Sequence, residues 1–329
     1  MLILPISQVI ATLLVILFLL YDCILLTAMW RFRFSNNSNK KSYPFVYITF
    51  MSVLGITGKI FAIPMIDAWP IADWIDPING YDAYRKSVGE EISVVKTFAY
   101  LTPLFLNCLM TFHRVCIFLM PFKTKWFSEL RLTCYCSLLA AIALISLLFP
   151  YFSDCSLNFD SRTSTYVAKC APGRHPATLL QNKYLIWLPL CSMFANFTII
   201  LWVKLSRKIK ERKYANKVTA TSAAHVAKWF AKRENVMIRQ AAIIAVYFSV
   251  YELGFLYMRL YPEQFEDWLL EFQVLFYFLR LLTADTSNFF VYFMLTKSTR
   301  QLVLKFLGLE GKFGKKFVVI TVSQTLANN

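Results

Sequence analysis

The stretch SQVIATLLVILFLLYDCILLTAMW, residues 7–30, holds a single charge, Asp22, in a run otherwise apolar or uncharged. About 20 such residues suffice to cross the hydrocarbon core of a bilayer as a helix. The run is too long for the core of a cleavable signal, and no basic residue precedes it. It therefore reads as a signal-anchor helix that stays in the membrane. Six further runs share its character, at about 44–66, 92–120, 132–152, 183–205, 240–260 and 272–295. The expected fold is all-α, an integral membrane bundle of seven transmembrane helices over residues 1–296, with a cytoplasmic amphipathic helix and tail over 297–329.

Composition supports the bilayer as solvent. Hydrophobic residues make up 57% of the 329, and charged residues only 16%. A soluble domain averages about 45–50% apolar and about 25% charged. Such a chain has too little polar surface to be an ordinary soluble enzyme, and it is far too apolar to be disordered.

The net charge of +16 raises the question of nucleic acid, and the placement of the charges answers it. Arg31, Arg33, Lys40 and Lys41 follow the first run without an acid. After the second come Asp67, Asp73, Asp76, Asp82, Glu90 and Glu91, against Arg85 and Lys86. Lys123, Lys125 and Arg131 oppose only Glu129 after the third. The fourth connector is mixed. Between Lys204 and Arg239 eleven Lys/Arg face Glu211 and Glu234, and after the sixth run there are four acids and no base. Loops that alternate in Lys/Arg content orient the chain with its N-terminus outside and its C-terminus in the cytoplasm. The basic face then lies against the anionic inner leaflet, and no nucleic acid is required as a partner.

Catalytic constellations are missing. His113, His175 and His225 stand in different segments, no pair has metal-ligand spacing, and there is neither a Gly-rich phosphate loop nor a G-x-S-x-G elbow. No enzyme, metal or cofactor is expected. Nine glycines and few interrupted runs also speak mildly against a transporter, although a channel or transporter remains the alternative class, beside a seven-helix protein that binds no small molecule.

Charges inside membrane helices are costly and often functional. They are Asp22, Lys59, Glu252, Arg280 and Asp285. Counted from the outer ends, Lys59, Glu252 and Arg280 share a depth. They form either the polar floor of a cavity open to the outside or an interhelical ion pair of Glu252 with Arg280 or Lys59. Lys96 and Arg259 lie nearer the rim, where they are expected to reach the surface. Thr97, Tyr100 and Tyr257 complete the candidate ligand contacts. Cys155 and Cys170 share one outer connector, where an internal disulfide is an even alternative to free thiols. The sequons at Asn36 and Asn196 fall in the cytoplasm and inside a helix, so neither is expected to carry a glycan.

At the inner ends, Arg114 is either an interfacial anchor or a cation directed into the bundle. Asp285, Asn288 and Tyr292 recur at i, i+3 and i+7, one helix face, which should point inward because lipid cannot satisfy them. The segment from Lys297 to Leu309 carries a stripe of Leu302, Val303, Phe306 and Leu307 beside Lys297, Arg300 and Lys305, as suits a helix lying on the inner leaflet.

The segments Asn107-Cys-Leu-Met-Thr-Phe-His-Arg114 and Phe118-Leu-Met-Pro-Phe-Lys-Thr-Lys-Trp126, with a very short N-terminus, give the chain a resemblance. It resembles the nematode serpentine chemoreceptors, most closely the Srg superfamily of gamma, V and X classes, over about residues 1–310. The family typically has Asn where His113 stands. Asn288-x-x-x-Tyr292 is similar to the N-P-x-x-Y motif of rhodopsin-like receptors, with Phe289 in place of Pro, and the cysteine that ties the third helix to the outer loop is missing. The resemblance implies a rhodopsin-like receptor in the plasma membrane of sensory-neuron cilia. Such a receptor binds a small external molecule and couples to a heterotrimeric G protein. His113, Arg114, Asp285, Asn288 and Tyr292 would be the coupling residues.

Overall fold

The computed structural model describes residues 3–35, 45–119, 126–162, 165–214, 267–294 and 296–309. It also describes 243, 245–247, 249–250, 252–254, 256–258, 260–261 and 264–265. Helix α1 (Ile3–Ser35) is apolar around its whole circumference, which suits lipid rather than a soluble core. Then come α2 (Phe45–Ile75), the short α3 (Gly80–Ser87), α4 (Gly89–Leu119) and α5 (Glu129–Tyr151). Strands β1 (Leu157–Asp160) and β2 (Thr165–Ala168) precede α6 (Pro176–Tyr184) and α7 (Trp187–Tyr214). The described residues between 243 and 260 are helical, and this segment is α8. Helix α9 (Leu270–Asn288) runs into a π-helical turn (Phe289–Met294), and α10 (Lys297–Phe306) ends the described chain.

Among the described residues, six helices are long and apolar enough to cross a membrane. The expected span at 240–260 is α8, part of which lies outside the described residues. The chain is thus a multi-pass membrane helix bundle. Exposed tryptophans mark two levels, Trp30, Trp126 and Trp202 at one end and Trp74, Trp187 and Trp268 at the other, as aromatic belts do at the two interfaces.

Several elements run past their expected limits. Helix α2 continues nine residues beyond 66, and α3 occupies what reads as a loop. Helix α7 reaches Tyr214, and α6 precedes it. The remainder of the basic connector, residues 215–242, and the tail from 310 lie outside the described residues, as does the Asn36 sequon. Asn196 is fully buried in α7.

Two prolines inside helices are answered by glutamines from neighbouring helices. Pro70 cannot donate to Ile66, and Gln8 of α1 donates its amide to the Ile66 carbonyl instead. Pro150 likewise frees the Ser146 carbonyl, and Gln181 of α6 donates to that oxygen at 3.4 Å and to the Ser146 hydroxyl at 3.1 Å. In lipid an orphan carbonyl has no water to fall back on, so these contacts fix α1 against α2 and α6 against α5.

The β1–β2 hairpin pairs Leu157 with Ala168 and Asp160 with Thr165, and the Cys155–Cys170 disulfide joins its two legs. It caps one end of the bundle. The Phe159 amide donates to Ser93 Oγ of α4 at 2.9 Å, and Asn158 donates to the Arg85 carbonyl at 2.8 Å. Lys169 pairs with Glu90 at 2.6 Å, and Tyr81 donates to Asp160 at 3.1 Å. The buried Phe159 ring stacks on Tyr277 of α9. Polar contacts to α3 and α4 thus do the work of the missing cysteine tie. Within this cap, burial raises the phenols of Tyr81 and Tyr84, the latter to about 12.

Candidate functional site

Helices α2, α4 and α9 enclose a cavity of about 40 Å³ whose wall includes Leu54, Gly55, Lys59, Lys96, Tyr100, Asp285 and Asn288. Its charges are paired. Lys59 Nζ lies 2.6 Å from Asp22 Oδ2 of α1, and both side chains are almost wholly buried. Lys96 Nζ lies 3.0 Å from Asp285 Oδ1 and donates to the Gly58 carbonyl at 3.1 Å. Asn288 donates to the Met51 carbonyl at 3.0 Å and to Asp22 Oδ2 at 3.3 Å. Four helices are therefore joined by two ion pairs and one amide. Such pairs contribute little net stability when intact, but removing one partner costs about 3–5 kcal/mol, because the other charge is left in a medium that cannot solvate it.

Gly55 makes the junction possible. A Cβ there would lie 2.5 Å from both Asn288 Nδ2 and Asp22 Oδ2. Absence of that one carbon lets α1 and α9 send polar groups across the face of α2.

Two sequence expectations are corrected by this arrangement. Lys59 pairs with Asp22, not with Glu252, because Asp22 faces α2 across Gly55. Lys96 is 7% exposed and does not reach the rim, since α4 packs along α2 and the Gly58 carbonyl and Asp285 draw its ammonium inward. Tyr100 lines the cavity with Lys59 and donates to Glu252 of α8, which itself does not line it. Thr97 turns its hydroxyl back to the Ser93 carbonyl at 2.7 Å, and Tyr257 packs on Tyr261 and Trp268; neither lines the cavity. The Arg280 side chain lies outside the described residues.

Asp285, read with Asn288 and Tyr292 as one inward face, divides from them in role. It belongs to the cavity pair, Asn288 to the junction, and Tyr292 sits a turn farther, buried in the π-helical turn. There Tyr292 and Tyr47 are electrostatic neighbours of Arg114. Arg114 is 7% exposed, and its three guanidinium nitrogens have no hydrogen-bond partner among the described residues. His113 meets the Tyr47 hydroxyl at 3.3 Å and stacks on Phe127 at 4.0 Å. One bundle thus carries a charge-paired cavity at one depth and, at another, a buried cation with no hydrogen-bond partner among the described residues.

The sequence reading missed Asp22 and Lys96 as site residues, and Gly55 altogether. Lys96, Tyr100 and Pro103 recur at i, i+4 and i+7 on one face of α4, which is the signal that could have placed Lys96 inside. Among the described residues, no group of three His, Cys, Asp or Glu could hold a metal ion.

Comparison with known proteins gives the family. A sequence model described as Caenorhabditis serpentine receptor-like protein, class xa, matches residues 42–197, a span that includes Lys59, Lys96, Arg114 and both hairpin cysteines. Serpentine receptor class XA 10 of Caenorhabditis elegans is 32% identical over 276 residues, which cover 82% of this chain and 81% of that protein. With this identity running across both chains, and a membrane helix bundle to carry it, the chain belongs to the nematode serpentine receptors.

Proposed function

We propose that the chain is a chemosensory receptor that binds a small external molecule in the α2–α4–α9 cavity and activates a heterotrimeric G protein at the opposite end. The orientation has the N-terminus and the β1–β2 hairpin outside and α10 on the anionic inner leaflet, in a plasma membrane of sensory cells and their cilia. Alternation of Lys/Arg among the connectors supports that orientation.

The observation that carries the reading is Arg114. A buried guanidinium without a partner among the described residues suits a surface whose anionic complement arrives from another molecule, since leaving it unpaired is costly. Lys59, Tyr100, Glu252 and Lys96 are assigned to the ligand side, and His113, Arg114, Asn288 and Tyr292 to the coupling side. Asp285 acts between them, because a ligand that perturbs its pair with Lys96 moves α9, which also carries Asn288 and Tyr292. A ligand shifts this equilibrium only by as much as it binds the two packings differently.

The test is a panel of small volatile and water-soluble compounds applied to cells carrying the receptor and a G-protein reporter. Arg114→Ala at equal surface expression should abolish the response of any active compound. A full response in that variant would remove Arg114 from the coupling surface.

A further inference from the structure

The cavity of about 40 Å³ has room for about one water-sized group, so a larger cue needs space that another group now fills. The hairpin fills such a space with Phe159, which is 5% exposed. Its surroundings lie about one turn from the cavity, on the hairpin side, along each helix that walls it. On α2, Ala62 follows Lys59 by three residues, and on α9 Leu281 precedes Asp285 by four. On α4, Ser93, whose Oγ accepts the Phe159 amide at 2.9 Å, precedes Lys96 by three. Leu281 belongs both to the cavity wall and to the apolar cluster that contains Phe159.

That cluster makes a ring-sized socket. Ala62, Met65 and Ile66 of α2 and Val274, Tyr277 and Phe278 of α9 contribute to it, and none of them carries a charge. Tyr277 stacks on Phe159 with centroids 5.2 Å apart and 25° between the planes, and Tyr166 meets the ring edge-on, also at 5.2 Å. Such contacts favour a flat aromatic ring over a saturated one of like size, and a charged group would give up its water there for an apolar wall. The hairpin is meanwhile held by contacts that do not involve the ring: the Cys155–Cys170 disulfide, the Lys169–Glu90 pair and the Tyr81–Asp160 hydrogen bond. Turning Phe159 about χ1 to another staggered well therefore empties the socket while the strands stay paired.

We infer that the Phe159 socket is the outer part of the ligand site, on the reading that the chain is a receptor whose hairpin faces outside. It takes an uncharged, flat aromatic molecule about the size of its own plug. The ligand displaces the Phe159 ring and packs on Tyr277 and Leu281 of α9, the helix that carries Asp285.

In the test, the full chain in nanodiscs carries 4-fluorophenylalanine at position 159, and fluorine NMR reads whether that ring is buried or in water. Toluene is the phenylalanine side chain as a free molecule; methylcyclohexane is its saturated counterpart and benzylammonium its charged one. Toluene should move the resonance saturably toward the water-exposed position, at a concentration about threefold or more below that required of methylcyclohexane. Benzylammonium should not move it. Methylcyclohexane also enters the bilayer, so it reports any effect of swollen lipid alone. Phe159→Ala has no ring to displace and should bind toluene about tenfold or more tightly than the unaltered chain, read from the toluene concentration that raises the thermal midpoint.

A resonance that stays buried at every toluene concentration overturns the proposal, as does one that methylcyclohexane or benzylammonium moves as readily. Toluene binding to Phe159→Ala alone overturns it too, since the ring would then be a fixed part of the core; binding no tighter in Phe159→Ala would place toluene elsewhere and overturn it likewise. Where Phe159→Ala does not fold, the fluorine result decides. A toluene-driven shift without a G-protein response would leave the socket standing and count against the receptor reading; a response to compounds that leave the ring buried would do the reverse.

Discussion

Replacing Lys59 by Met keeps the length and bulk of the side chain and removes only its charge. Among the described residues, Asp22 would then keep Asn288 at 3.3 Å as its one hydrogen-bond partner. Asp22 Oδ1 already has no partner among the described residues, so the carboxylate would be left almost bare at a fully buried position. The expected loss is about 3–5 kcal/mol, the cost of stranding one member of a buried pair. For a chain of this size, about 2 °C of midpoint shift accompanies each kcal/mol, which gives a fall of roughly 6–10 °C. The assay is thermal unfolding of the purified protein in detergent, followed by a thiol-reactive dye on the buried Cys136. The double variant Asp22→Leu with Lys59→Met removes both charges and should recover most of the loss, because a neutral apolar pair carries no desolvation penalty. A single variant within about 2 °C of the unaltered chain, or a double variant no better than the single, would refute the account of the junction.

Other outcomes follow from the same geometry. Gly55→Ala should lower the stability by about 1–3 kcal/mol, and the midpoint with it, since its Cβ would displace Asn288 and Asp22 and leave buried polar groups without partners; an unchanged midpoint would mean that α1 and α9 do not meet across α2 as described. Arg114→Met should raise the stability by about 2 kcal/mol or more, and the midpoint with it, by removing a buried charge that has no hydrogen-bond partner among the described residues, while reporter signalling is lost; a lowered midpoint would show that the guanidinium has a stabilising partner. At alkaline pH the hairpin cap should loosen. Tyr84 is held to about 12 by burial, so the stability it contributes is intact below the ordinary Tyr value near 10 and is lost as pH rises from there through 12. Tyr84→Phe should remove part of that alkaline loss, read as hairpin proteolysis against pH, and an unchanged pH profile would contradict the burial of this phenol.

Membrane spans are legible in this sequence because hydropathy over some twenty residues is a one-dimensional property. Azimuth is not. Asp22, Lys59, Lys96 and Asp285 are each visible as charges inside apolar runs, and their depths can be counted, yet which pairs with which depends on how four helices rotate about their axes. That rotation is set by features with weak local signals: the missing Cβ of Gly55, the Pro70 carbonyl gap that Gln8 fills, and the π-helical turn that re-aims Tyr292. Counting depth alone put Lys96 at the rim, because its snorkelling reach is the same whether its head turns outward or toward Asp285. The hairpin was not legible for a different reason. Its strands have four residues each, too short for a periodic pattern, and they exist because Ser93, Glu90 and Tyr81 receive them.

The proposed path of the signal, from an outward cavity to an inward Arg114, stands or falls on which way the bundle faces. Epitope tags placed before Met1 and after Asn329, stained in separate cells with and without permeabilisation, measure this directly. The account predicts staining of the Met1 tag on intact cells and of the Asn329 tag only after permeabilisation. Staining of the Asn329 tag on intact cells would turn the cavity toward the cytoplasm and contradict it.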